Sequence, residues 1–253
     1  MMKIPVKSLV LVSIFLTVCV ATSGAQNTAV PVPKLRFVVI LTRHGVRSPT
    51  WTQSELNTYS AKPWPDWGVA AGNLTPHGGK LMTQFGSYYR LYFAAAGLLH
   101  SAGCEDAGHV HIRADAESRT RETGGALATG MMPGCKVEVQ AVSKGEDPLF
   151  SPLSAGIGKP DRALAAASIS GRIGANPSAL ASAYQGAFST LREVLFGCNA
   201  AAATLCSAEA KPDKRSILQQ PSVVEEGKGG HAADLRGPVR IGSTLSEDFQ
   251  LEY

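Results

Sequence analysis

The sequence predicts an α/β domain built on a parallel sheet, followed by an inserted helical domain. Three observations predict it. Strand-like and helix-like patterns alternate from residue 35 to residue 141. The first run, Leu35–Thr42, is almost continuously apolar, as a strand covered on both faces is. After Asp147-Pro148-Leu149-Phe150-Ser151-Pro152 the composition turns to Ala, Ser and Gly through Phe196.

The elements follow in order. Leu35–Thr42 is the first expected strand. Ser48–Asn73, polar and rich in Trp, Pro and Gly, is a loop. Its tryptophans Trp51, Trp64 and Trp67 are expected to pack the loop against the body more than to wall a pocket. Thr75 and Pro76 open a helix as N-cap and first-turn proline. Leu81, Phe85, Tyr88, Tyr89, Tyr92 and Phe93 recur at helical spacing towards Leu99 and give its expected core stripe. His109–Ala114 is the second strand. His109 and His111 share one face of it, read as its polar face because no third metal ligand accompanies them. A helix over Arg119–Met131 and a strand over Lys136–Ala141 complete the order. Leu180, Tyr184, Phe188, Leu191 and Leu195 mark the inserted helical domain. Residues 207–242, rich in Lys, Glu and Gly, are expected to be mostly loop, and Ser243–Tyr253 an amphipathic helix.

The N-terminus has the form of an export signal. Lys3 and Lys7 precede the apolar run Ser8–Ala21, and Ser23-Gly24-Ala25 is a small-x-small cleavage site. The run is about fourteen residues, against the roughly twenty that a spanning helix needs. Residues 1–25 are therefore read as a signal peptide, and the protein as periplasmic or secreted. Cys19 raises a lipoprotein reading, which the bulk of Val18 disfavours. Without Lys3 and Lys7, the 24 basic side chains become 22 against 20 acidic, a balance of +2. No basic run is present. Nucleic acid and membrane surfaces are therefore not indicated as partners, and an anionic ligand must be held by local arginines. The oligomeric state is not legible.

Four cysteines remain: Cys104, Cys135, Cys198 and Cys206. An even count in an exported chain indicates disulfides, with three possible connectivities. Locality favours Cys104–Cys135 and Cys198–Cys206. No Cys-x-x-Cys and no histidine pair at zinc spacing occurs, so no metal or other cofactor is called for.

Chemistry concentrates in Arg43-His44-Gly45-Val46-Arg47-Ser48-Pro49-Thr50, at the end of the first expected strand, where open α/β sheets place their sites. A neutral imidazole can attack phosphorus, and flanking guanidiniums can grip phosphate oxygens bidentately. A second arginine segment, Ala114-Asp115-Ala116-Glu117-Ser118-Arg119-Thr120-Arg121, opens a helix whose free N–H groups attract anions. The chain resembles the histidine acid phosphatase family, a branch of the phosphoglycerate-mutase-like superfamily that includes bacterial phytases and glucose-1-phosphatases. Leu74-Thr75-Pro76-His77-Gly78 matches the family's Leu-Thr-Pro-x-Gly helix start. The resemblance implies that His44 is the nucleophile and becomes a phosphohistidine. It implies that Arg43, Arg47 and Arg119 bind the phosphoryl group, that the two local cysteine pairs form, and that the substrate is a small phosphomonoester such as phytate or a sugar phosphate.

The family draws its leaving-group acid from a downstream His-Asp pair. This chain contains no such dipeptide; His231 is its last histidine, followed by Ala232. Nor does the final helix carry a glycine cap, a proline or a basic last turn. The expected organisation is thus a signal peptide over 1–25, the N-terminal part of a phosphatase domain over 26–152, and a helical domain with the start of the return over 153–253. The fold is expected to be incomplete at the C-terminus. Two functional readings stand: an exported acid phosphatase, or a non-catalytic remnant that keeps only an arginine-lined anion site. A cytosolic phosphomutase is disfavoured by the export signal, the cysteines and Arg47. With the later sheet strands absent, residues 26–253 alone are expected to fold poorly and turn over little.

Overall fold

The computed structural model describes residues 34–143, 145–198 and 205–251. The expected signal peptide and Cys19 lie outside them. Two compact units make up the chain, residues 1–36 and 37–253. Of the first, Lys34, Leu35 and Arg36 are described, without regular secondary structure.

In the second unit, α1 (Gln53–Asn57) starts at a capping box: Thr52 Oγ1 accepts from the Glu55 N–H, and the Glu55 carboxylate accepts from the Thr52 N–H at 2.8 Å. Helix α2 (Pro76–Ala95) begins as expected, with Thr75 Oγ1 accepting from the Gly78 N–H at 2.9 Å. Strand β1 (Ile112–Arg113), helix α3 (Ser118–Met131) and strand β2 (Val139–Gln140) follow. The two strands pair in parallel, Ile112 with Val139 and Arg113 with Gln140. Parallel neighbours need a crossover of about a dozen residues or more, and α3 supplies it. Gly124 makes the fit: a Cβ there would lie 2.9 Å from Val139 Cγ1 and 3.1 Å from Ile112 Cγ2. The predicted α/β class with a parallel sheet is therefore present, with shorter strands than expected. His109 and His111 are exposed, but not on a strand face as expected: His109 ends a 3-10 turn, Ala107–His109, and His111 precedes β1.

Two expectations are corrected here. Residues Leu35–Thr42 form no strand, and Phe37, Val39 and Leu41 are 77%, 81% and 88% exposed. A strand exists only as a member of a ladder, and among the described residues this run has no ladder partner. The aromatic stripe of α2 is also not its core face. Leu81, Phe85, Tyr88 and Tyr92 are exposed, and only Phe93 of the set is buried. The buried face is Gly78, Met82, Gly86, Arg90 and Phe93. Glycine decides this. A Cβ on Gly86 would overlap the Leu127 carbonyl, and one on Gly130 the Thr83 carbonyl. α2 and α3 therefore cross backbone to backbone along a glycine seam. The aromatic rings stack on one another instead, Phe85 with Tyr88 at 6.1 Å and Tyr88 with Tyr92 at 6.0 Å.

Helices α4 (Arg162–Arg172), α5 (Pro177–Ala183) and α6 (Gln185–Phe196) make up the helical region. Residues 207–242, expected as mostly loop, contain an antiparallel hairpin, β3 (Val223–Glu226) with β4 (Ala233–Arg236). Gly227 allows its turn, since a Cβ there would overlap the His231 carbonyl. The last helix, α7 (Pro238–Gln250), starts before the expected Ser243, set by Gly237 at φ 107° and Pro238 in its first turn. The main core joins Leu56, Tyr59 and Trp64 of the loop to Phe188, Leu191 and Leu195 of α6 and to Leu245 of α7. Trp51 and Trp67 pack against it, so all three tryptophans fasten the loop to the body as expected.

Both favoured disulfides are present, with Cα–Cα separations of 5.5 Å for Cys104–Cys135 and 5.7 Å for Cys198–Cys206. Serine at Cys104 and Cys135 together is expected to lower the unfolding free energy by about 2–4 kcal/mol. Urea denaturation of the oxidised protein measures it, and an unchanged midpoint would contradict it.

Candidate active site

The arginine–histidine loop is stitched to two helices. The Val46 carbonyl accepts from both the Thr75 N–H at 2.9 Å and the Thr75 hydroxyl at 3.0 Å, at the start of α2. Gly78 leaves room for this approach, because a Cβ there would overlap the Val46 carbonyl. The Ser48 N–H donates to the Asn73 carbonyl at 2.9 Å. From α3, the buried Thr123 hydroxyl accepts the Gly45 N–H at 3.0 Å and donates to the Arg119 carbonyl at 2.7 Å. One side chain thus ties the loop bearing His44 to the helix turn bearing Arg119.

His44 is half-buried, and its Nδ1 lies 2.8 Å from the Gly45 carbonyl oxygen. That oxygen only accepts, so Nδ1 carries the proton and Nε2 keeps its lone pair. The imidazole is held below its ordinary value, first by burial, against the opposing Gly45 hydrogen bond, and then by the fields of Arg119, Arg47 and Arg43. It stays neutral further into the acid range than a free histidine.

The structure therefore brings Arg43, His44, Arg47 and Arg119 together. Arg43 is exposed. Arg47 is 7% exposed; it donates to the Ser48 carbonyl at 2.9 Å and to Glu247 Oε1 of α7 at 3.0 Å. Arg119 pairs with Glu117 at 3.0 Å, while its buried Nε has no partner among the described residues. A cavity of about 470 Å³ borders the loop at Val46, Thr75 and His77. The four cysteines serve the fold and not this site.

Three residues of the site escape the sequence reading. Thr123 stands four positions after Arg119, on the same helix face, and that spacing is its only local signal. Glu247 and Asp248 lie on α7, and nothing in the sequence links that helix to Arg47. Asp248 is 2% exposed, and its Oδ2 has no partner among the described residues. Valine at Thr123 keeps the shape but strands the Gly45 N–H, with an expected loss of about 1–2 kcal/mol. Serine should restore most of it. Chemical denaturation reads both, and equal stability of the valine and serine variants would contradict the role of the hydroxyl.

An imidazole with Nε2 free, ringed by guanidiniums, has the chemistry to hold a phosphate group. Residues 34–185 match the histidine phosphatase superfamily (branch 2), and the chain belongs to that family. It is 36% identical to Phytase AppA of Escherichia coli (strain K12) over 248 residues, which cover 97% of this chain and 57% of that protein. It is 31% identical to the glucose-1-phosphatase of Salmonella typhimurium (strain LT2) over 150 residues, 58% of this chain and 36% of that one. Among solved structures, Hafnia alvei phytase in complex with tartrate superposes with a TM-score of 0.69 at 31% identity, covering 83% of this chain and 50% of that chain. The Citrobacter braakii phytase gives 0.69 at 34% identity, covering 83% and 51%. The chain thus spans 57% of the length of AppA and about half of these phytase structures. No helix among the described residues is long and apolar enough to cross a membrane.

Proposed function

We propose that this protein is an exported, histidine-type acid phosphatase that hydrolyses small phosphomonoesters, phytate or sugar phosphates, through a phosphohistidine at His44. The observation that carries the reading is the convergence of three arginine fields on a half-buried imidazole whose Nδ1 is already committed to Gly45. In this reading Nε2 attacks phosphorus in line with the ester oxygen, and the phosphorus–oxygen ester bond breaks with its electron pair on the leaving alkoxide, which takes a proton. Water then attacks the phosphohistidine and releases inorganic phosphate and neutral imidazole. Arg43, Arg47 and Arg119 balance the charge of the phosphoryl oxygens in both steps. No metal is required by this chemistry. Export rests on the pattern of residues 1–25 and places the enzyme in the periplasm or outside the cell.

A second reading is an arginine-lined anion site without turnover, since these 253 residues, which span 57% of the length of AppA, contain no His-Asp pair to act as the acid. The two separate by leaving group. p-Nitrophenolate departs with little help from a general acid, whereas the alkoxide of an inositol or sugar phosphate needs a proton. The chain is mixed with labelled p-nitrophenyl phosphate or labelled phytate near pH 5, quenched in alkaline denaturant because phosphohistidine is acid-labile, and mapped by peptide. Label on His44 from the aryl ester is expected, with chelators having no effect. Label on serine or aspartate would overturn the assignment, and bound sulfate with no label from either ester would establish the second reading.

A further inference from the structure

We infer that Asp248 is a further positioning residue of the anion site, acting through Arg47 and taking up a proton when an anion binds. The inference rests on the reading of Arg43, Arg47 and Arg119 as an anion cradle. It starts from a residue out of place. The buried stripe of α7 is Pro238, Gly242, Leu245 and Asp248, so a carboxyl occupies the position where the helix pattern calls for an apolar side chain. It is 2% exposed, and Oδ2 has no hydrogen-bond partner among the described residues. A buried carboxylate left in that state is costly unless it is protonated or answered by a positive charge.

The charged groups that act on it are Arg47, from the loop that bears His44, and Glu247, from its own helix. They oppose each other: the guanidinium favours the charged form and the neighbouring carboxylate disfavours it. Burial is the largest influence and raises the carboxyl, Arg47 opposes it, Glu247 adds to it, and the result is a rise from 3.8 to about 6. In the free protein Arg47 donates to the Ser48 carbonyl from Nη1 and to Glu247 from Nη2, two of its five N–H groups.

An anion that draws on Arg47 offsets the field that favours the charged form of Asp248. The carboxyl must then bind its proton more tightly, and by reciprocity a protonated Asp248 must tighten anion binding. The direction with pH follows. Well above the raised midpoint Asp248 is ionised with or without the anion, and affinity is flat. As pH falls towards about 6 the anion complex takes up a proton that the free protein lacks, and affinity rises. Once the free protein is also protonated, affinity levels off.

Sulfate is the probe, because it keeps both charges throughout this range. His44 responds to an anion by the same linkage, so the measurement is made on the full chain carrying His44→Asn. Calorimetric titration between pH 5 and 8, in buffers of different ionisation heat, gives both affinity and proton uptake. A coupling of one pKa unit corresponds to about a tenfold change in affinity, so binding about tenfold tighter at pH 5.5 than at pH 8 is expected, accompanied by proton uptake. Adding Asp248→Asn should flatten the profile to within about twofold and remove the uptake. As a measurement that needs no further substitution, carbon-13 NMR of the Asp248 carboxyl in the His44→Asn chain should show its midpoint rising when sulfate is added. An unchanged slope with Asp248→Asn, or an Asp248 midpoint indifferent to sulfate, would overturn the inference and leave the arginine cradle standing. Absence of sulfate binding in the unsubstituted chain at any pH would remove the cradle itself, and the inference with it.

Discussion

Alanine at His44 is expected to slow phosphoenzyme formation from p-nitrophenyl phosphate by at least about 10⁴-fold while leaving sulfate affinity within about threefold. The two effects separate because in the proposed mechanism the imidazole forms the bond to phosphorus but contributes no charge when neutral, and the guanidiniums remain. Rapid-quench labelling measures the first and calorimetry the second. The same residue fixes the acid limb of the rate profile. Its depressed value means that the reactive neutral form of the free protein persists as pH falls below 6.5, so the second-order rate constant for labelling, which reports the free protein, should decline only at a midpoint lower than that. A midpoint at or above 6.5, or labelling that survives the substitution, would contradict the role of His44.

Valine at Gly130 is expected to destabilise the fold by more than about 3 kcal/mol, enough to unfold a marginal domain. Its Cβ would overlap the Thr83 carbonyl, a backbone atom of α2 that cannot swing aside as a side chain can. The effect should reach the site as well, because α2 holds Val46 through Thr75 while α3 holds Gly45 through Thr123. Gly125, on the same helix, has open space at its Cβ. Alanine there should raise stability by about 0.5–1 kcal/mol. Urea denaturation with sulfate titration distinguishes the pair. Equal midpoints for the two variants would show that the glycine seam is not the close contact described.

What the sequence revealed was local. The His44 loop, Arg119 at a helix start, the Thr75 cap and two short-range cysteine pairs are all readable within a few residues or a few tens of residues. What it concealed depended on distant chain. An apolar run says that Leu35–Thr42 suits a strand, but pairing needs a neighbour that no local pattern supplies. The aromatic spacing of α2 misled because two glycines facing Leu127 and Thr83 offer a closer approach than any large side chain. Short strands on either side of a glycine turn in 223–236 gave too few apolar positions to register against a polar background. Glu247 and Asp248 were invisible because the arginine that Glu247 binds, and whose field reaches Asp248, stands 200 residues away from Glu247.

The contact between Arg47 and Glu247 spans 200 residues, whereas the Ser87–Gly130 contact between α2 and α3 spans 43. Closing the longer loop costs roughly 1–1.5 kcal/mol more in chain entropy. A polypeptide that emerges amino end first is therefore expected to close its glycine-sealed helix pair, and with it the histidine loop, before α7 engages Arg47. Until then Arg47 lacks the carboxylate it donates to in the finished fold, Glu247.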